Sequence, residues 1–313
     1  MTANEKENAL RVAYFCMESI FSYRPLAALL DADADVRLVM RPVGGLLGRR
    51  ENLLKREGST RNPIATKIKQ HLSADETDPF LLAERVGIPR WTVGNASTPA
   101  VVDLLRRERI ELIVIAFFNQ LLQPQILQVP AFGAINAHPS LLPDLRGPSP
   151  LFWTFQQGML EAGLTVHQVA AGEDDGGILL QERISLKTPL PGEILVDLLA
   201  EKAALTIVQA VNEMTSGTIK PTPQNGTATR APRPSLDDLK IDPAMGAERI
   251  FRFVRGVGRW TPPALETSGA PIRVVDAIDI LDERKVPGDY AVVGDHVLLG
   301  TTTGTVVLRC LGS

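Results

Sequence analysis

Leu112-Ile113-Val114-Ile115-Ala116 (LIVIA) decides how this chain is read, because five apolar residues run without a polar break. A short apolar run of this length reads as a buried strand. Just before it, residues 99–107 carry a helical pattern that opens with Pro99. Further back, Arg11–Cys16 (RVAYFC) reads as a first buried strand, residues 25–30 as a short helix with Pro25 near its start, and residues 36–40 as a second strand. Helical patterns recur at residues 64–72 and 79–86. Strands that alternate with helices predict an α/β fold: an open, Rossmann-like, mostly parallel sheet with helices on both faces.

Toward the C-terminus, residues 134–136 form a short strand and residues 150–157 a helix. Two later strands follow at residues 164–170 and 178–184. Residues 192–214 form a long amphipathic helix with Val196, Leu199, Ala203 and Ile207 on one face. The composition then changes. SGTIKPTPQNGTATRAPRP, residues 216–234, is rich in Thr, Pro and Gly, as linkers are. Beyond it come a helix at residues 247–254 and short β-like runs at 272–275, 290–293, 297–299 and 305–308. The expected division is therefore a catalytic domain over residues 1–216, a linker over 217–235, and a smaller β-rich, OB-like domain over 236–313.

Hydrophobic residues make up 44% of the 313 and charged residues 22%, the balance of a soluble globular protein. A net charge of -3 does not announce nucleic-acid binding, although a local basic patch can serve. Cys16 and Cys310 stand at opposite ends of the chain, without metal-type spacing, which suits a reducing compartment. The polar opening MTANEKENALR lacks the pattern of a secretory signal, and residues 112–118 are too few to span a bilayer. The expectation is a cytoplasmic protein without a membrane partner.

Two stretches carry chemistry. In GAINAHPSLLPDLRG, residues 133–147, a strand delivers Asn136 and His138 to its carboxyl end, where open α/β sheets bind ligands. The two are two positions apart and so face the same side of a strand. In GLTVHQVAAGEDDGG, residues 163–177, a strand ends in a loop with Asp174 and Asp175 beside two glycines.

Together these stretches resemble the formyltransferases that use 10-formyltetrahydrofolate. The family pattern is Asn-x-His-x-Ser-Leu-Leu-Pro, followed by a distant Asp-x-Gly turn. Asn136, His138, Ser140, Leu141, Leu142 and Pro143 match the first part, and Asp174 and Gly176 the second. Arg146 and Gly147 match the Arg-Gly that follows the first motif. The resemblance runs from about Arg11 to Met214 and more weakly beyond. It implies formyl transfer to an amine, with 10-formyltetrahydrofolate as co-substrate.

That chemistry suits these residue types. Asn136 is the expected donor to the oxygen that becomes negative, His138 a second donor and proton relay, and Asp174 the group that orients His138 and favours its protonated form. The resemblance also implies that the pteridine lies between two loops, one of Phe118, Asn119, Gln120, Leu121 and Leu122, the other of Ala170, Ala171, Gly172 and Glu173.

Plainer readings stand beside these. Asp174 could simply serve a turn, which Asp-Gly sequences do well. His167, on its strand, reads as a packing or supporting residue, and no metal is expected. Residues 44–50 (GGLLGRR) lack the ending of a phosphate loop and read as a surface loop, while Arg41, Arg49, Arg50, Lys55, Arg56 and Arg61 are candidates to touch a phosphate on the acceptor.

Family members often carry a Gly-Thr or Gly-Ser turn after the first strand, where this chain has Met17, Glu18 and Ser19. Ile241, Asp242, Ile250, Arg255, Trp260 and Pro262 resemble the second domain of the members that formylate methionyl-tRNA, so initiator methionyl-tRNA is the expected acceptor. The alternatives are an amino sugar nucleotide or other small amine, or hydrolysis of the formyl carrier.

Overall fold

The computed structural model describes residues 9–43, 53–58, 77–283 and 285–311. By internal packing the chain divides into two units. The first holds Met1–Pro143, Leu164–Glu182 and Val196–Thr227; the second holds Asp144–Gly163, Arg183–Leu195 and Ala228–Ser313. The division does not follow chain order.

The principal sheet has the strand order β3-β4-β2-β1-β5-β6-β7-β8. The strands are β1 (Arg11–Cys16), β2 (Asp35–Pro42), β3 (Leu54–Arg56), β4 (Arg90–Val93), β5 (Leu112–Ala116), β6 (Ala134–His138), β7 (Glu161–Gln168) and β8 (Ile178–Ser185). β4, β2, β1, β5 and β6 run parallel, while β3 pairs antiparallel with β4 and β7 with β6. The chain leaves β1 for β2 on one side and later returns to β5 on the other, so the strand order reverses at β1. Ligands of such sheets gather outside the carboxyl ends at that reversal.

LIVIA is buried at every residue, as expected of a central strand covered on both faces. Its neighbours Ala13, Phe15, Leu38, Met40, Val101, Leu105 and Ile126 form one apolar cluster with it. Each fully buried Val, Leu or Ile there is worth about 1.5–3 kcal/mol.

The structure revises several sequence expectations. The first helix, α1 (Ile20–Asp31), starts five residues earlier than expected, because the Ser19 side chain accepts from Phe21 N at 3.1 Å and so caps it. Pro25 therefore lies inside that helix. The strand with Asn136 runs on to His138. β3 and β4 were not foreseen; RWTV is short, and its Arg90 is held by Glu84 at 3.0 Å, which hides a charged residue in a strand. The expected helix at 64–72 lies outside the described residues.

In the second unit, a sheet of order β11-β12-β13-β10-β9 is built from β9 (Ala264–Leu265), β10 (Ile272–Leu281), β11 (Tyr290–Val293), β12 (His296–Gly300) and β13 (Thr305–Cys310). All its pairs are antiparallel, and two register shifts in β10 bend it into a curl. Val297, Leu299, Val306 and Leu308 alternate inward with the strand period of two. Helix α7 (Ala247–Val257) covers this core with Ala247, Ile250 and Val254. (Helices are numbered in chain order: α2 is Pro79–Arg85, α3 Pro99–Arg107, α4 Pro124–Leu127, α5 Pro150–Gln156 and α6 Gly192–Thr215.) α5 belongs to this unit too: the Phe152 and Phe253 rings meet edge-on at 5.7 Å, and Gly256 leaves the space that the Phe155 ring fills.

Candidate active site

β6 presents its last residues at the carboxyl end of the sheet, one strand beyond β5. Its antiparallel register with β7 sets Asn136 opposite His167 and His138 opposite Thr165. Two strand positions on each side therefore supply four polar side chains to one face. Asp174 comes to the same face from the loop after β7. Its Oδ2 lies 3.5 Å from His138 Nδ1 and its Oδ1 lies 3.6 Å from His167 Nε2. Asn136 Nδ2 lies 3.2 Å from His167 Nε2 and donates to Asp174 Oδ1 at 3.5 Å.

The tautomer of His167 follows from its partners. Its Nδ1 is 2.9 Å from the Gln168 carbonyl, which only accepts, so Nδ1 carries the proton. Nε2 is then free to accept from the Asn136 amide. His167 thus fixes the way Asn136 faces, with its donor end toward the cluster. Both imidazoles are nearly enclosed, with side chains 5% exposed for His138 and 2% for His167, while Asp174 keeps 16%.

The turn after β6 is fixed by side chains. Leu142 N donates to Thr165 Oγ1 at 3.1 Å, and Thr165 Oγ1 donates to the Ser140 carbonyl at 2.7 Å. Gln181 Nε2 reaches both the Leu142 carbonyl and Thr165 Oγ1 at 2.9 Å. The Leu142–Pro143 peptide is cis. The Asp174 loop is shaped differently. Asp174 has φ 51°, and Gly176 passes so close to β7 that a Cβ there would fall 1.8 Å from the Gln168 carbonyl oxygen. Only glycine fits that approach. The Asp175 carboxylate lies over Gly172, where a Cβ would meet it at 2.0 Å.

The residues expected to hold a folate sit at the neighbouring strand ends. Phe118 packs inward against Phe15 with ring centroids 5.3 Å apart, and Leu122 is buried. Asn119 and Leu121 are exposed. Gln120 is spent within the protein: its Nε2 donates to the Gly94 carbonyl and its Oε1 accepts from Ala96 N. Of the second loop, Ala171 is exposed, and Ala170, Gly172 and Glu173 are half-buried. The sequence reading did not mark Phe117, which is exposed and has φ 59° at the end of β5. An aromatic residue in that conformation is a genuine outlier, and only the backbone shows it.

Cys16, at the end of β1, is no nucleophile here. Burial, and then Asp78, push its thiol well above the ordinary range, so it stays protonated. Among the candidate phosphate contacts, Arg41 lies over the Phe80 ring at 4.1 Å and 3.8 Å from Asp78, and Lys55 pairs with Glu57 at 3.3 Å. Arg56 is exposed, while Arg49, Arg50 and Arg61 lie outside the described residues, as does the loop at 44–50. No helix among the described residues is long and apolar enough to cross a membrane.

The chain is similar to known formyltransferases. The profile of the formyl transferase family matches residues 47–211, more than half the chain. A methionyl-tRNA formyltransferase of Geobacter metallireducens is 32% identical over 72% of this chain and 73% of its own. One of Thermodesulfovibrio yellowstonii is 29% identical over 85% of this chain and 84% of its own. Among solved structures, WlaRD, a sugar 3N-formyl transferase crystallised with dTDP and 5-N-formyl-THF, superposes with a TM-score of 0.68 at 13% identity, covering 97% of this chain and 98% of the other.

Proposed function

The chain belongs to the formyl transferase family, and we propose that it transfers the formyl group of 10-formyltetrahydrofolate to the amine of methionyl-tRNA. The observation that carries this reading is the cluster of Asn136, His138 and Asp174 at the carboxyl ends of β6 and β7. The acceptor rests on the relatives, which bear the name methionyl-tRNA formyltransferase and match over most of their length.

The carrier supplies the formyl carbon and the nitrogen that leaves it. The chain's residues fit it: Phe117 and Leu121 expose apolar surface on the loop after β5, and the Ala170–Glu173 loop lies at the end of the neighbouring antiparallel pair.

Asn136 shares the amide hydrogen that faces Asp174 Oδ1, a long contact of 3.5 Å, with the formyl oxygen as the amine adds and that oxygen becomes negative. Its other hydrogen stays on His167 Nε2, so the donor is already oriented. Such a donor is worth about 2.7–4 kcal/mol in the transition state. The Asp174 carboxylate beside Nδ1 favours the imidazolium form of His138, which carries a hydrogen on Nε2 as well. His138 then donates to the same oxygen and passes a proton to the departing nitrogen. Asp174, the more open member of the cluster, receives the proton of the attacking amine through water. One carbon–nitrogen bond forms, one breaks, and one proton moves from the amine to the leaving nitrogen.

An acceptor screen with 10-formyltetrahydrofolate tests the reading. Release of tetrahydrofolate only with methionyl-tRNA supports it. Release only with an amino sugar nucleotide moves the acceptor to that class, and release without any amine makes the chain a hydrolase.

A further inference from the structure

The segment that leaves α6 reads in the sequence as a linker, yet it returns to the site. Ile178 N donates to the Thr222 carbonyl at 2.7 Å, and Thr222 N to the Ile178 carbonyl at 2.8 Å. This two-way bridge lays the segment beside the start of β8. Pro221 closes on Gly177, where a Cβ would come within 2.7 Å of the proline ring. Three residues after Pro221, the Gln224 side chain turns inward. Of residues 220–230 it is the one that is not exposed. Its Nε2 donates to the Asp174 carbonyl and to the Gly176 carbonyl, each at 2.8 Å.

An amide nitrogen has two hydrogens, and these two carbonyls use both. They belong to the residue that bears the catalytic carboxylate and to the glycine that anchors its turn. Asp174 itself sits at φ 51°, in the left-handed region that favours glycine, so outside support helps the loop to stay in this shape. Its carboxylate must meet His138 on one oxygen and Asn136 on the other. A small rotation of the Asp174 backbone would lose one or both.

We propose that Gln224 is a positioning residue for formyl transfer: its amide clamps the Asp174 turn and thereby sets the carboxylate against His138 and Asn136. This rests on the catalytic role given to Asp174 above.

The test is a double-mutant cycle on the full chain with 10-formyltetrahydrofolate and methionyl-tRNA, or with the amine that the screen selects for the wild type. Gln224→Met keeps the length of the side chain and removes both donors. It should lower kcat by about ten- to a hundredfold, with KM for the folate within about twofold. In an Asp174→Asn background the same change should cost almost nothing further, because Gln224 acts through that carboxylate. Losses that multiply, or a Gln224→Met enzyme with native kcat, would overturn the proposal. Gln224→Glu adds an independent readout. Ionised, it cannot donate; protonated, it can donate one bond, so its kcat relative to wild type should recover as the pH falls. A flat ratio across pH would count against the clamp. If Asp174→Asn alone keeps native kcat, the catalytic reading has failed and the clamp has nothing to act through. If Asp174→Asn is impaired while Gln224→Met is not, only the clamp has failed.

Discussion

The two halves of the proposed reaction centre are held in different ways. Asn136 and His138 stand on a strand that is paired on both sides, and the turn behind them is pinned by Thr165 and Gln181. Asp174 stands on a loop, in a left-handed backbone, shaped by a glycine that touches β7 and by a glutamine from a distant segment. The oxyanion donors must match a charge that exists only in the transition state, and a rigid ladder suits that demand. In the proposed mechanism the carboxylate exchanges a proton with water and a substrate amine, and a loop position leaves it more open. Strand-borne residues should therefore fail through lost chemistry, and loop-borne ones through lost geometry.

The largest effect falls on the strand side. Asn136→Ala and His138→Ala should each lower kcat by about a hundredfold to a thousandfold while folate affinity stays near native. The double mutant should lose less than the product, since both act on one oxygen. Steady-state kinetics beside a folate-binding titration checks this. Near-native kcat in both single variants would refute the mechanism.

Gly176→Ala probes the loop side. Its new Cβ would meet the Gln168 carbonyl oxygen at 1.8 Å, so the turn must shift and carry Asp174 away from His138. A displacement of that order costs about a hundredfold in rate. The kcat of this variant should fall while every catalytic side chain remains in place. A variant with full activity would show that the carboxylate tolerates a mobile loop, and the contrast drawn above would lose its basis.

Thr165→Val tests how much the strand-borne turn depends on its side-chain pins. The change strands Leu142 N and removes a partner of Gln181 in a buried place. Unsatisfied buried groups cost about 1–3 kcal/mol each. Urea unfolding should show a loss of that order, with a smaller fall in kcat than Gly176→Ala gives. An unchanged unfolding midpoint would mean that pairing alone holds the turn.

These contrasts match what the sequence could and could not disclose. The apolar run at Leu112–Ala116, the spacing of Asn136 and His138, and the Asp-x-Gly turn are local patterns, and local patterns survive in one dimension. The partnership of Asn136 with His167 depends on the register of an antiparallel pair, and a shift of one residue would have put His167 on the other face. Gln224 lies fifty residues from Asp174 in a run of Thr, Pro and Gly, with nothing in its neighbourhood to mark it as structural. Likewise α5 lies within the sequence of the first sheet but packs on α7, a pairing that no periodicity reports. Residues that act through long-range contacts were invisible, whereas those set by adjacent spacing were plain.

Phe117 offers the finest test, since it sits on the strand side and yet carries the kind of backbone found on the loop side. It follows β5 directly, after Ala116, whose partner Ala137 immediately precedes His138. Its ring is 49% exposed, so the protein gains little from burying it, and its φ of 59° is a conformation that glycine takes freely. Phe117→Ala removes the ring and keeps the backbone strain. Phe117→Gly removes both, at the cost of a more flexible unfolded chain. The difference between the two variants therefore isolates the strain. The glycine variant should be the more stable by about 1 kcal/mol in urea unfolding. Both should raise the KM for folate or acceptor to a similar degree if the ring lines the site, because both lack it. Equal stability of the two variants would show that the left-handed turn at Phe117 is not strained, and that this strand end is as relaxed as the one carrying His138.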